Sequence, residues 1–202
     1  MKRNDWEKLN MVEEQVRVKK RKVAWGITGA GDKIAEFIEV MKEIQKEYTD
    51  TVEIQVFLSK AADLVLKYYN LETDLKQSFQ KVSVELNSNA PFLAAWMQMR
   101  KYEFLLIAPA TSNTVAKIAN SIGDTLLTNA AIMSLKAFVP VYIAPSDYKE
   151  GVVYTRLPNG KEIKLRVRKE EVEQVRKLKC MEDVFVLEGP QKIRKVFQKH
   201  FV

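Results

Sequence analysis

The order of apolar and polar residues along the chain predicts strands that alternate with helices. The segment Phe104–Ala108 has five apolar residues without alternation, which is typical of a parallel strand covered on both faces. Apolar residues recur at helical spacing from Ile34 to Tyr48. Strands joined by helices in this way predict an α/β domain with a doubly wound, mainly parallel sheet. The predicted strands are Val23–Ile27, Val52–Leu58, Val82–Leu86, Phe104–Ala108 and Val139–Pro145.

The C-terminal part of the chain adds a different pattern. Alternating segments at 152–157 and 162–167 flank Asn159 and Gly160, a pair that is typical of a hairpin turn. The sheet is therefore expected to carry an added β-hairpin. After it the pattern predicts a charged helix, a short strand and a closing helix, at Lys169–Lys179, Asp183–Leu187 and Gln191–Phe201.

Residues 1–21 are polar and mixed in charge, and we expect them to form an extension or a short helix outside a single domain at residues 22–202. No apolar run approaches the ~20 residues that a membrane helix needs, and no signal-peptide core follows the basic N-terminus. We therefore expect a cytoplasmic protein. A helix predicted from Phe92 to about Arg100 carries large apolar groups, for which packing is the expected role and a ligand wall the alternative.

Cysteine and histidine are too rare for several kinds of site. The one cysteine, Cys180, excludes an internal disulfide and any cluster built from several thiolates of one chain. The one histidine, His200, lies two residues from the C-terminus, where we expect a frayed surface residue. No metal site and no histidine-based triad are therefore expected.

The net charge of +7 is unevenly distributed. Residues 1–22 carry 8 basic and 4 acidic groups, residues 161–202 carry 12 and 7, and the stretch between them carries 13 and 15. The basic residues lack the interleaved aromatic groups of a base-stacking surface, so nucleic acid is not the expected partner. A basic surface is suited to attract an acidic protein.

Polar loops follow several of the predicted strands. Thr28–Asp32 follows the first, Pro109–Thr114 the fourth and Ser146–Gly151 the fifth, while Ser59 ends the second. Because carboxyl ends of parallel strands meet at one edge of a sheet, these loops should converge there. Unpaired donors in the first turn of a helix suit a phosphate or an electron-rich ring. A well-capped helix and a tight glycine turn are the alternatives to a binding site.

The glycine spacing excludes two common nucleotide sites. Gly26, Gly29 and Gly31 give G-x-x-G-x-G, which is not the dinucleotide fingerprint G-x-G-x-x-G. The second strand ends in Ser59 and Lys60, where a dinucleotide enzyme would place an acid for the ribose. No G-x-x-x-x-G-K-[ST] loop is present, which excludes a P-loop hydrolase. A hydroxyl at Ser59 suits a phosphate instead.

Four segments together resemble the homo-oligomeric flavoprotein family that includes peptidyl-cysteine decarboxylases, phosphopantothenoylcysteine decarboxylase and flavin prenyltransferase. They are Gly26–Gly31, Ser59–Ala62, Pro109–Ala119 and Gly123–Ala131, within a match from about Val23 to Asp147. The resemblance implies a Rossmann-like, flavodoxin-type domain that binds one FMN per subunit and forms trimers or higher homo-oligomers. It implies that the phosphate of FMN is bound by Gly29, Ala30, Gly31 and Ser59. The edge of the flavin ring would be bound by Thr111, Ser112, Asn113 and Thr114, and Thr28 and Asn129 are further candidates.

The sequence departs from that family at its catalytic positions. The decarboxylases use a histidine after the third strand, and Asn87–Phe92 contains none. Their Pro-x-Met-Asn segment is missing where Ala144–Asp147 stands. The prenyltransferases keep an arginine at the position of Asn129 and a glutamate near Asp147. What remains is a flavin site without the acid–base groups of these relatives.

The chain looks most like the archaeal group that contains archaeoflavoprotein and the acceptor-type dihydromethanopterin reductase. Since a flavin itself carries hydride and electrons, redox function survives the loss of a catalytic histidine. We therefore expect an FMN oxidoreductase in electron transport that is reduced by an acidic, ferredoxin-like protein and reduces a pterin near Asp147 and Tyr148. The alternatives are a cysteine decarboxylase, a prenyltransferase-like enzyme and a non-enzymatic flavin carrier.

Overall fold

The computed structural model describes residues 20–202 of the 202-residue chain. The predicted extension at residues 1–21 therefore lies outside the described residues except for its last two, and Arg21 already begins the first strand. No helix in the described part of the chain is long and apolar enough to cross a membrane.

Six parallel strands form the central sheet, as the apolar runs predict. Their order is β3-β2-β1-β4-β5-β8, so the chain moves outward from β1 in one direction, returns, and moves outward from β4 in the other. The strands are β1 (Arg21–Ile27), β2 (Val52–Leu58), β3 (Lys81–Val84), β4 (Leu105–Ala110), β5 (Val141–Pro145) and β8 (Val184–Val186). This confirms the doubly wound α/β sheet and places its switch in strand order between β1 and β4.

Helices cover both faces of the sheet. They are α1 (Ile34–Glu47), α2 (Lys60–Tyr68), α3 (Glu72–Ser78), α4 (Leu93–Gln98), α5 (Ser112–Ala119), α6 (Leu126–Lys136), α7 (Lys169–Lys179) and α8 (Ile193–Phe201), and a short 3-10 turn at Pro190–Lys192 precedes the last. Side chains of α1, α2, α3 and α8 share one buried cluster with Trp25, and those of α4 to α7 share a second with Ile107. Burial on both faces explains why the central strands have unbroken apolar runs.

The predicted hairpin is present, and it stands apart from the sheet. Strands β6 (Gly151–Arg156) and β7 (Glu162–Val167) pair antiparallel with each other, and neither pairs with a strand of the main sheet. Val152 and Tyr154 remain exposed on it. A two-stranded hairpin is only marginally stable by itself in water, so these apolar groups are available for a further contact.

Some boundaries differ from the sequence-based expectation. Helix α5 begins at Ser112, within the predicted loop Pro109–Thr114, because Thr111 caps it. The third strand is Lys81–Val84 and is therefore shorter than the predicted Val82–Leu86 at its C-terminal end. The polar stretch after α2 forms the short helix α3, whose Leu75 is buried. The helix predicted from Phe92 to about Arg100 shortens to α4, which buries Met97 and leaves Phe92 exposed.

Candidate functional site

The loop after β1 is fastened to the loop after β4 by one hydroxyl group. Thr28 Oγ1 donates to the carbonyl of Pro109 at 2.9 Å and accepts the backbone N–H of Thr111 at 2.8 Å. The side chain is buried, with 3% of its surface exposed. Thr28 therefore joins the two loops on either side of the strand-order switch, and its hydroxyl is already engaged within the protein.

Two glycines allow the loop after β1 to lie close to α2. A Cβ atom on Gly29 would lie 2.7 Å from Cβ of Ala61, and one on Gly31 would lie 2.8 Å from the hydroxyl of Tyr69. Any side chain at Gly29 would collide with the first turn of α2, because the backbone of Ala61 lies only 3.3 Å away. The glycines therefore serve close packing, and this packing brings the loop to the N-terminus of α2.

Ser59 is the N-cap of α2 and lies beside the same loop. Its Oγ accepts the N–H of Ala62 at 3.0 Å, and its own N–H donates to the carbonyl of Ile27 at 3.0 Å. A capping hydroxyl still has a proton to donate. Ser59 can therefore cap the helix and donate to an anion at the same time.

The N-terminus of α5 faces the same edge of the sheet. Thr111 caps it by accepting the N–H of Thr114 at 3.3 Å, and the two hydroxyl oxygens lie 3.1 Å apart. Ser112 and Asn113 fill the first two helical positions, whose N–H groups have no partner within a helix. Asn113 is exposed. All four predicted residues of this loop therefore line one helix terminus.

Asp147 completes this part of the site from the loop after β5. The hydroxyl of Ser112 donates to Asp147 Oδ2, and Ser146 Oγ lies 3.2 Å from the same oxygen. The N–H of Ser146 donates to the carbonyl of Ala110 at 2.9 Å, which ties the two loops together. A carboxylate at a helix N-terminus is favoured by the helix dipole. The structure thus brings Asp147 next to the predicted ring contacts.

Tyr148, the other predicted acceptor residue, directs its hydroxyl elsewhere. Tyr148 Oη donates to Glu188 Oε1 at 2.9 Å and accepts from Lys179 Nζ at 2.6 Å. The ammonium group of Lys179 also lies 4.5 Å from the centre of the Tyr148 ring. The hydroxyl is therefore held by a surface ion cluster beside the site and not by the loops after β1 and β4.

Glu85 is a residue of this edge that the sequence analysis missed. It follows β3, is 9% exposed, and its carboxylate accepts the N–H of Leu126 at 2.8 Å and that of Lys60 at 3.3 Å. These are the first residues of α6 and α2, so one buried carboxylate joins two helix N-termini. The sequence analysis placed Glu85 inside the predicted strand Val82–Leu86, whereas the observed strand ends at Val84, and no local pattern indicated that the carboxylate would be buried.

Asn129 also connects neighbouring loops. Its Nδ2 donates to the carbonyl of Ser88 and to Oδ1 of Asn89, each at 3.0 Å. It therefore holds the loop after β3 against the second turn of α6. The structure thus brings together the loops after β1, β4 and β5 and the N-termini of α2, α5 and α6.

Backbone donors at this edge have no acceptor in the described part of the chain. The N–H of Ala30 donates to Thr28 O at 2.9 Å, but no acceptor is found among residues 20–202 for the N–H groups of Gly29 and Gly31. The N–H groups of Ser112 and Asn113, the first two of α5, likewise have no acceptor among these residues. Converging unpaired N–H groups at helix N-termini form an anion site. This edge therefore offers donors that an anionic group such as a phosphate could accept.

His200 lies at the opposite edge, and the expectation of a frayed surface residue was wrong. Its Nε2 is 2.9 Å from the hydroxyl of Tyr142, and its ring centre is 4.8 Å from that of Phe104. The aromatic groups at the end of α8 pack onto the sheet, and this packing holds His200 in place. Burial, and then the nearby Lys199, hold the pKa of His200 below its usual value.

The sequence matches the Flavoprotein family over residues 11–194. It is 48% identical to an uncharacterized protein of Methanocaldococcus jannaschii, across 89% of this chain and 95% of that protein. It is 32% identical to the dihydromethanopterin reductase (acceptor) of the same organism, across 87% of this chain and 95% of that enzyme. Among solved structures, the FMN complex of DmrB from Burkholderia xenovorans, described as a cubic protein cage for redox transfer, superimposes with a TM-score of 0.75 at 30% identity, covering 90% of this chain and 96% of that one.

Proposed function

The chain belongs to the Flavoprotein family, and we propose that it is an FMN-dependent oxidoreductase that passes electrons to a reduced pterin such as dihydromethanopterin. The observation that carries the proposal is the likeness, over most of both chains, to an acceptor-type dihydromethanopterin reductase. The fold of a redox FMN protein and the donor-rich edge of the sheet support it.

The residues at the carboxyl edge fit the chemical parts of FMN. The phosphate is assigned to the N–H groups of Gly29 and Gly31 and to the hydroxyl of Ser59, because unpaired donors and a helix N-terminus meet there. Ala30 lies between the two glycines, and its own N–H is already engaged by the carbonyl of Thr28. The polar edge of the ring is assigned to the residues Thr111, Ser112, Asn113 and Thr114. Thr28 and Asn129 act behind these contacts by fixing the loops.

The chemistry is divided between cofactor and protein. FMN, when bound, accepts electrons and delivers hydride. The chain supplies the shape and the fixed donors, and Asp147 adds a carboxylate within reach of Ser112. For a pterin C=N group, hydride goes to carbon and a proton from solvent goes to nitrogen. Asp147 is the side chain of the β5 loop that can bind such a ring at its polar edge, because the hydroxyl of Tyr148 is already engaged by Glu188 and Lys179.

The position of the only histidine supports redox chemistry over decarboxylation. His200 lies at the amino edge of the sheet, where Arg21 Nη1 donates to its carbonyl at 2.8 Å, so it is remote from the proposed cofactor site of the same chain. The loop after β3 is held by Asn129 and contains no histidine. An acid–base group of the decarboxylase kind has no counterpart there.

We also propose that the protein forms a homo-oligomer. Leu86, Phe92 and Met99 are 71%, 65% and 56% exposed around α4, and apolar groups of the hairpin are exposed as well. Exposed apolar groups clustered in this way mark contact surfaces. Light scattering coupled to size exclusion should give a mass that is a multiple of 23.3 kDa, and a monomer at micromolar concentration would remove this part of the proposal.

The experiment that tests the function is anaerobic reoxidation. Protein loaded with FMN is reduced photochemically and mixed with dihydromethanopterin, and the return of the visible absorbance of oxidised flavin is followed. Rapid, stoichiometric reoxidation is expected. Reoxidation only by a second redox protein would make the chain an electron shuttle, and no reoxidation by any acceptor would leave a flavin carrier.

A further inference from the structure

A groove beside the last strand of the sheet combines apolar walls with three lysines. It has a volume of about 370 Å³ and lies between β8 and α8. Phe185 forms its wall, stacked at 4.9 Å on Tyr142 and 38% exposed. Because β8 is the edge strand of the sheet, no other strand of residues 20–202 covers this side.

The lysines lie along one side of α8 and of the 3-10 turn that precedes it. Lys192, Lys195 and Lys199 are three and four residues apart, which places them on one face of a helix, and all three are exposed. No carboxylate of residues 20–202 lies within 4.0 Å of their ammonium groups. Arg194 differs, because it pairs with Glu43 and Glu47 on α1. The groove therefore keeps a concentrated positive charge that its neighbours do not neutralise.

The groove reaches the candidate cofactor site. The end of the groove nearest the carboxyl edge of the sheet includes Glu188, whose carboxylate accepts from the hydroxyl of Tyr148 at 2.9 Å. Tyr148 follows Asp147, which accepts from Ser112 at the N-terminus of α5. A molecule lying in the groove would therefore end beside the loop after β5. Glu188 is the one acid that lines the groove, and its carboxylate accepts from Tyr148, whose hydroxyl in turn accepts from Lys179.

We propose that this groove is the docking surface for an acidic protein that delivers electrons to the cofactor site, an inference that rests on the proposed function. Charge complementarity with the three lysines selects the acidic partner, and Phe185 supplies the apolar contact that a stable encounter needs. Each docked donor gives up one electron and is oxidised. Two successive donors supply the two electrons of a hydride, and the accompanying proton comes from solvent.

The test compares two triple variants of the full-length, FMN-loaded protein. In the groove variant, Lys192→Glu, Lys195→Glu and Lys199→Glu are combined. In the control, Lys46→Glu, Lys136→Glu and Lys161→Glu change the net charge equally at exposed lysines outside the groove. The probe is an acidic [4Fe–4S] ferredoxin, reduced with dithionite and freed of it, and stopped-flow absorbance measures the second-order rate of flavin reduction at low salt.

The groove variant should be reduced about 100-fold more slowly than wild type, and the control should stay within about threefold of it, because local charge steers association by factors of 10 to 10³. Raising the salt should slow the wild type and speed up the groove variant, because salt screens the attraction of the lysines in the first and the repulsion of the glutamates in the second. Equal rates for both triple variants, or no reduction of the wild type by the ferredoxin, would overturn the docking surface.

A second measurement separates this inference from the proposed function. Photochemical reduction, FMN affinity and reoxidation by the pterin should be the same in the groove variant as in wild type, since no lysine of the groove belongs to the cofactor site. If wild type fails to bind FMN or to reduce any acceptor, the proposed function fails. Carbodiimide cross-linking of ferredoxin carboxylates should select Lys192, Lys195 and Lys199, and cross-links confined to other lysines would contradict the docking surface.

Discussion

The two edges of the central sheet differ in how their polar groups are satisfied. At the amino edge, Arg21 bonds to Glu103 at 2.8 Å and to the carbonyl of His200, and Lys81 bonds to Glu53 at 2.6 Å. The hydrogen bond from Arg21 holds the pKa of Glu103 below its usual value. At the carboxyl edge, by contrast, N–H groups at Gly29, Gly31 and the start of α5 have no acceptor among residues 20–202.

The difference supports the assignment of the cofactor site to the carboxyl edge. A closed network of ion pairs needs no further partner, and exposed pairs of this kind contribute little to stability. Buried or half-buried donors without acceptors are costly unless a ligand supplies one. At the carboxyl edge, Glu85 and Thr28 also position the loops through their hydrogen bonds. Variants of the carboxyl edge should therefore change cofactor binding, whereas variants of the amino edge should change stability alone.

The largest effect is expected from Glu85→Ala. It leaves the N–H groups of Lys60 and Leu126 without their acceptor, at a cost of about 2–4 kcal/mol of folding free energy. For a chain of this size the Tm of the apoprotein should fall by about 5–15 °C in calorimetry. The exposed Glu170→Ala is the matched control and should leave the Tm within about 1–2 °C. A Glu85→Ala protein as stable as the control would contradict the bridging role.

Gly29→Ala tests the close approach of the loop to α2. The new Cβ would lie 2.7 Å from Cβ of Ala61, and relieving this clash should cost about 1–3 kcal/mol and displace the N–H groups assigned to the phosphate. FMN affinity, measured by quenching of flavin fluorescence, should fall about tenfold or more. At Gly189 a Cβ would meet nothing within 4 Å, so Gly189→Ala should bind FMN as wild type does. Equal affinities for both variants would remove the glycine loop from the site.

Thr28→Val keeps the shape of a buried side chain and removes its hydroxyl. Thr111 loses the acceptor for its N–H, so the free energy of unfolding should fall by about 1–2 kcal/mol in a urea titration. FMN affinity should fall as well, because the loops after β1 and β4 are no longer joined. Thr155→Val on the hairpin is the control. Loss of stability without loss of affinity would show that this joint does not position the cofactor.

His200→Gln probes the amino edge and should have the smallest effect. Because the folded pKa of His200 is lowered by burial, the unfolded chain takes up a proton first as the pH falls below about 6.5. The stability of wild type should therefore fall from pH 7.5 to 5.5 more steeply than that of the variant, as urea titrations at each pH would report. FMN affinity should be unchanged. Parallel pH profiles would contradict the lowered pKa.

The sequence predicted the sheet well because burial on both faces leaves a simple signal. The unbroken apolar runs at β1 and β4 were sufficient to predict these strands, and the polar loops after them were sufficient to predict that the loops meet at one edge of the sheet. Ser59 and Thr111 were predicted as flavin contacts, with a well-capped helix as the alternative for the loop that contains Thr111, and the structure shows that both residues also cap helices.

Other parts of the site depend on contacts between distant segments. Glu85 was missed because its burial is created by α2 and α6, which lie 25 and 41 residues away along the chain. His200 was misjudged because its environment is formed by Phe104 and Tyr142 on the sheet. The direction of the Tyr148 hydroxyl likewise depends on α7 and on Glu188. No local pattern contains such information.

The most direct test of the account is calorimetric titration of the apoprotein with FMN and with riboflavin, which lacks the phosphate. One FMN should bind per subunit, and riboflavin should bind about a hundredfold more weakly or worse, because the carboxyl edge supplies several charge-assisted donors to the phosphate. Equal affinity for the two flavins would contradict the assignment of Gly29, Gly31 and Ser59 to the phosphate. Absence of binding to either would contradict the central claim.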